Sequence, residues 1–240
     1  LAEVSAIRPV DGGFDGFSRD AIAIRRTLDD VFGQGSGVAD DVVCFGAGGS
    51  GRALMLALMT DRWDDGPPFA IRTPAPRTFH IVERDPARLS AFGRIARRVG
   101  VPDDRLRAHH LEGIRAAGEL VATLPPRALV VNATGLGKDA PGSPIPGATR
   151  FPRDSIAWDF NYRGDLGFLD TAAAERRAGV RVMDGWRFFL HGWIEALVPL
   201  LGTPLDGDAF ERLVGASEPF RPAASRARAA LGPTPHDARS

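Results

Sequence analysis

Apolar and polar positions fall in alternating blocks along this chain, short apolar runs giving way to segments of helical period. "DDVVCF" at 40–45 has the length and apolar density of a buried strand, and the segment from Ser50 to Met59 spaces its apolar residues as a helix does. The pairing recurs. "TFHIVE" reads as a strand and Pro86 to Val99 as a helix, then "LRAHH" as a short strand and "IRAAGELVATL" as a helix. "RALVVNA" is a strand that runs into the glycine-rich loop "TGLGKDAPGSPIPG". "SIAWDF" precedes a helix over Leu166 to Ala178, and "VRVM" precedes a long apolar helix from Trp186 to about Leu201. Ahead of the series lie an extended start at Glu3 to Arg8, a turn-rich stretch to Gly16 and an amphipathic helix from Asp20 to Phe32. Strands that alternate with helices over this length predict a parallel sheet covered on both faces, an α/β doubly wound architecture. "DRWDDGPPFAIRTPAPR" reads as loop, and 218–240, rich in Ala, Arg and Pro, as a flexible tail.

Composition narrows the function classes. The 240 residues carry 30 basic and 30 acidic side chains, with no basic stripe to draw the chain to nucleic acid. No apolar run reaches membrane-spanning length, and the start lacks a signal-peptide pattern, so a cytoplasmic protein with no membrane partner is expected. The single Cys44 sits in an apolar strand and has no disulfide partner. His109 and His110 have no partners at metal-ligand spacing, and no metal site is expected. Lys138 is the one lysine among the basic residues.

"VVCFGAGGSGRALMLAL" places Gly46, Gly48 and Gly49 at the carboxyl end of a buried strand. A pyrophosphate needs close backbone approach, a tight turn and the free N–H groups of a following helix, and glycine meets the first two demands. The spacing, Gly-x-Gly-Gly-x-Gly, departs from the commonest form, yet Gly46, Ala47, Gly48, Gly49 and Ser50 are candidates to hold the diphosphate of a dinucleotide. Glu83, ending the second strand in "HIVERDPARL", is placed to accept hydrogen bonds from ribose hydroxyls and so tilts the choice towards NAD, while Arg84 beside it favours the 2′-phosphate of NADP.

These pieces, with "ALVVNATGLG", "AWDFNYRGDLGFL" and "MDGWRFFLHGWIEAL", resemble in order and near-spacing the nucleotide-binding half of the shikimate dehydrogenases. The resemblance implies a Rossmann-like domain over 20–217, preceded at 1–19 by the end of a substrate domain of which only a remnant is present. It implies that Asn132, Ala133, Thr134 and Gly135 border the nicotinamide, that Gly185 belongs to the cofactor site, and that Tyr162 contacts substrate or nicotinamide. "GFSRDAIAIRRTL" is similar to the family's Gly-x-Asn-Thr-Asp, which makes Asp20 the catalytic carboxylate and Ser18 a substrate contact. His191, on the closing helix, is a further substrate candidate.

Departures accompany the resemblance. No counterpart of the family's catalytic lysine is present, Ser18 and Arg19 stand for its Asn and Thr, and Gly192 stands for its glutamine. Lys138 is the candidate replacement for the lysine. The implied activity is NAD- or NADP-dependent interconversion of a ring secondary alcohol and ketone on a shikimate- or quinate-like hydroxy acid, a step of aromatic amino acid biosynthesis in the family. A homodimer is among the assemblies open to it. The alternative is a dinucleotide-binding or sensory module of the same fold that has lost catalysis.

Overall fold

The computed structural model of the chain describes residues 4–32, 39–60, 75–202 and 207–229. The loop expected after Asp61 lies almost wholly outside them. The chain opens with two strands, β1 (Ala6–Val10) and β2 (Gly13–Phe17), paired antiparallel with Val10 opposite Gly13. The expected turn-rich stretch to Gly16 is therefore corrected: only Asp11 and Gly12 make the turn. Gly12 has φ +83°, which an Asp-Gly pair tolerates, so the chain reverses in two residues and resumes as strand.

Helix α1 (Asp20–Phe32) then leads to a six-stranded parallel sheet of β3 (Asp41–Phe45), β4 (Thr78–Glu83), β5 (Leu106–His110), β6 (Leu129–Asn132), β7 (Ile156–Asp159) and β8 (Arg181–Met183). The strand order is β5-β4-β3-β6-β7-β8. Numbered within the sheet this is the 3-2-1-4-5-6 order of the Rossmann fold, and the order reverses between β3 and β6. Ligands of open α/β sheets lie at such a switch point, beyond the carboxyl ends of the strands.

Side chains of successive strand residues go to opposite faces. Val42, Cys44, Leu129 and Val131 pack with α1, α2 (Gly49–Met59) and α3 (Pro86–Arg98), while Val43, Phe45 and Val130 pack with α4 (Ile114–Thr123) and α5 (Gly167–Ala173). Burial on both faces is why these strands read as continuous apolar runs. Burial, with the charge of Glu83, pushes the Cys44 thiol well above its usual range, so it stays protonated and packs as a hydrophobe. α3 begins where it does because Asp85 accepts the N–H groups of Ala87 and Arg88 and Pro86 occupies the first turn.

α6 (Trp186–Leu201), α7 (Gly207–Ser217) and α8 (Ala223–Ala229) complete the chain. Two expectations need correction. The helix foreseen over Leu166 to Ala178 stops at Ala173, followed by a single 3-10 turn at Arg176–Ala178. The supposed tail is ordered through Ala229: Arg221 and the fully buried Ser225 both donate to Asp184 at the end of β8, which docks this segment on the sheet. Residues 230–240 lie outside those described.

Candidate active site

The glycine loop occupies the switch point. Gly46 has φ +102°, and a Cβ there would come 2.9 Å from the Ala133 carbonyl oxygen. Gly51 is held more tightly, for its Cβ would stand 2.0 Å from the Gly46 carbonyl oxygen. Gly48 differs. It is the N-cap of α2, no side chain caps the helix, and a Cβ there would meet nothing within 4 Å. The chain's own packing does not demand glycine at 48, yet its bareness opens the uncapped N–H groups of α2 to an anion. Gly46, Gly48 and Gly51 thus occupy the Gly-x-Gly-x-x-Gly positions, so the spacing that looked unusual in the sequence is the common one with an additional glycine at 49. Gly51 was missed as a site residue although its spacing was in the sequence.

A cavity of about 390 Å³ extends from this loop. Gly46, Gly48, Glu83, Arg84 and Arg88 line one side and residues of the β5–α4 connection the other. Glu83 is buried, and its carboxylate already accepts three backbone N–H groups: Ala47 at 3.0 Å on Oε2, Arg84 at 2.9 Å and Asp85 at 3.1 Å on Oε1. Its first role is to tie the glycine loop to the end of β4. Arg84 and Arg88 are exposed at the same cavity, so two guanidinium groups, only one of them foreseen, flank the position where a ribose would lie. The residues present fit a dinucleotide: a bare helix N-terminus for the diphosphate, and Glu83, Arg84 and Arg88 for the adenosine end.

Beyond β6 the loop 133–136 is clamped from below by three buried polar side chains. Asn132 Nδ2 donates to both oxygens of Asp159, each at 3.1 Å, and to the Leu136 carbonyl. Its Oδ1 accepts from the Thr134 N–H and hydroxyl. The Asn161 N–H donates to Asp159 at 2.9 Å, and its side chain to the carbonyls of Thr134 and Leu136. Burial raises the Asp159 carboxyl to about 7, helped by the charge of Asp184 and opposed by the hydrogen bonds from Asn161 and Asn132. Asn132, expected at the nicotinamide, lines neither cavity; it shapes the loop whose Ala133, Thr134 and Gly135 line both.

On the far side of that loop lies a larger cavity, of about 640 Å³. Asp20, Lys138 and Tyr162 all line it, together with Gly49 and Ser50 of the glycine loop. Asp20 heads α1 and is fixed from the hairpin side: Ser5 Oγ donates to its Oδ1 at 2.5 Å, while the Arg19 N–H donates to the same hydroxyl at 3.3 Å. Lys138 is 3.2 Å from Asp139. Ser5 and Asp139 escaped the sequence reading, Ser5 because it lies 15 positions from its partner.

Three foreseen residues lie elsewhere. Ser18 lines neither cavity. Gly185 does not either; a Cβ on it would stand 2.1 Å from the Phe160 carbonyl oxygen, so it is glycine to let α6 start against β7. His191 is buried between α1 and α7, stacked on Phe210 with centroids 3.8 Å apart and 2.6 Å from Asp30. Burial lowers its pKa despite Asp30, while His191 and Arg187 together overcome burial at Asp30 and lower its pKa. The His191–Asp30 pair thus lies away from both cavities. Among the described residues no three His, Cys, Asp or Glu side chains form a metal-ligating group, and no helix is long and apolar enough to cross a membrane.

No family model and no curated protein matches the sequence. Solved structures do match the fold. Shikimate dehydrogenase from Aquifex aeolicus aligns over 87% of this chain and 65% of its own at 17% identity, with a TM-score of 0.56. The Thermus thermophilus enzyme, solved with NADP(H) and shikimate, aligns over 88% and 67% at 23% identity, with a TM-score of 0.56. The 5-ketofructose reductase of Gluconobacter sp. strain CHM43 aligns over 88% and 67% at 18% identity, with a TM-score of 0.58. The chain has the fold of the shikimate dehydrogenases. It spans about two thirds of the length of these neighbours.

Proposed function

We propose that this chain forms the dinucleotide-binding and catalytic part of an NADP(H)-preferring oxidoreductase of shikimate dehydrogenase type, interconverting a ring secondary alcohol and ketone. The observation that carries the reading is the meeting of two cavities at loop 133–135. The glycine loop opens on both, while Asp20, Lys138 and Tyr162 converge on the larger one. Held across the switch point by the glycine loop, with Glu83, Arg84 and Arg88 at its adenosine end, a nicotinamide dinucleotide would supply the redox chemistry, exchanging a hydride with the carbinol carbon as alcohol and ketone interconvert with loss or gain of one proton.

The remaining work falls to the chain. Asp20, oriented by Ser5, accepts the hydroxyl proton, and Lys138 in the same cavity relays it. Tyr162, lining the same cavity, orients the ring. Glu83 has spent three acceptor positions on backbone, so it offers a ribose less than the sequence suggested, and Arg84 with Arg88 favours a 2′-phosphate. NADP is therefore the preferred dinucleotide, and a shikimate- or quinate-like hydroxy acid is the substrate the resemblance implies. The test is reduction of cyclohexanone-type ketones with NADPH by the wild type, Asp20→Asn and Lys138→Met. The reading expects turnover that drops at least about 100-fold in Asp20→Asn with NADPH affinity unchanged; equal turnover in all three contradicts it.

A further inference from the structure

We propose that the larger cavity takes an uncharged ring alcohol or ketone bearing an apolar substituent, in preference to a hydroxy acid, with the substituent lying over Gly192. This rests on the dehydrogenase reading above and replaces the hydroxy acid that the resemblance implies with an uncharged ring of the same reaction class.

One face of α6 builds the cavity wall. Phe188, Gly192 and Ala196 succeed one another at four-residue intervals, with Phe189 and Trp193 one position on, and all five line the cavity. Phe189 stacks on Tyr162 at 4.2 Å and on Trp186 at 5.4 Å, those two rings lying 5.9 Å apart, and meets Trp193 edge-on at 6.3 Å. Phe188 packs at 4.7 Å on Phe160, which is backed by Trp158. These contacts fix two aromatic walls. Trp193 is 58% exposed, a large apolar surface left open where the cavity begins.

Between the walls sits Gly192. Glycine weakens a helix interior, and here nothing in the packing asks for it: its φ is ordinary and a Cβ would meet no atom within 4 Å. The missing side chain leaves room at the cavity. The charged lining also speaks against an anion, because among the described residues it consists of Asp20, Asp139 and Lys138, and the ammonium is already paired with Asp139. A substrate carboxylate would meet two like charges and no free guanidinium, whereas an apolar ring loses nothing on desolvation.

Saturation-transfer NMR on the full chain, with 4-tert-butylcyclohexanol and quinate as probes, tests this. The wild type is expected to bind the tert-butyl alcohol at least about tenfold more tightly than quinate. Gly192→Gln should remove at least about tenfold of that affinity without lowering Tm, and Gly192→Ala about threefold. Tighter binding of quinate, or an unchanged tert-butylcyclohexanol affinity in Gly192→Gln, overturns the proposal. NADP⁺ titration of the same samples separates the two readings: retained NADP⁺ binding with the wrong probe ranking overturns the substrate class alone. Absent NADP⁺ binding overturns the dehydrogenase reading and leaves the probe ranking legible.

Discussion

The two cavities are made of different material. The smaller one, at the ends of β3 and β4, is shaped by backbone: a glycine at positive φ, two positions where a Cβ would strike a carbonyl, and a carboxylate bound to three amides. The larger one is shaped by side chains: two aromatic walls, a clamped loop and an aspartate held by a serine from a separate hairpin. A backbone site tolerates little substitution and recognises what every dinucleotide has in common. A side-chain site can be refitted residue by residue, and at Gly192, in the wall of the larger cavity, the present chain departs from the pattern it resembles.

The contrast can be broken most severely at Gly51. A Gly51→Val side chain has no room against the Gly46 carbonyl, so the loop must leave its conformation; the denaturant midpoint should fall by the equivalent of about 4 kcal/mol, and dinucleotide binding should vanish with it. Next is Asp159, beneath the loop common to both cavities. Its folded pKa is raised above the unfolded value of 3.8, so the native state binds the proton more tightly. The contribution of this group to stability is then greatest below about pH 4 and declines as pH rises towards about 7, by as much as about 4 kcal/mol. Asp159→Asn should remove that decline from a pH series of unfolding curves; a variant with the slope of the wild type places the pH dependence elsewhere.

Smaller effects separate the two cavities more finely. Arg84→Ala and Arg88→Ala should each weaken NADP⁺ by about tenfold while leaving NAD⁺ within about twofold, because only the 2′-phosphate differs. Equal losses for both dinucleotides would move the arginines from selectivity to general anchoring. Smallest of all, His191→Asn should change the affinity for either dinucleotide by less than about twofold, since His191 lines neither cavity.

What could be read from the sequence follows the same division. The apolar runs located β3, β6 and β7 because each is buried along its whole length, while α1, β4 and the largely exposed edge strand β5 lie where the sequence pattern put them. The glycine loop was legible because backbone demands act on residue type directly. Asp159 was not, for its role depends on parallel strands setting it beside Asn132, 27 positions away in the chain. His191 was misassigned for a reason visible on a helical wheel: it stands about 100° from Gly192, turned to Asp30 and Phe210. The docking of 221–229 was hidden because Ala, Arg and Pro carry no sign of the Asp184 carboxylate that Ser225 and Arg221 meet.

The most direct test is calorimetric titration of the wild-type chain and Gly48→Asp with NADP⁺ and NAD⁺. The bare helix N-terminus should bind NADP⁺ more tightly than NAD⁺. Gly48→Asp should abolish both while Tm stays within about 2 °C, because a Cβ at 48 touches nothing in the chain. Failure of the wild type to bind either dinucleotide, or undiminished binding in Gly48→Asp, would contradict a dinucleotide site at the switch point.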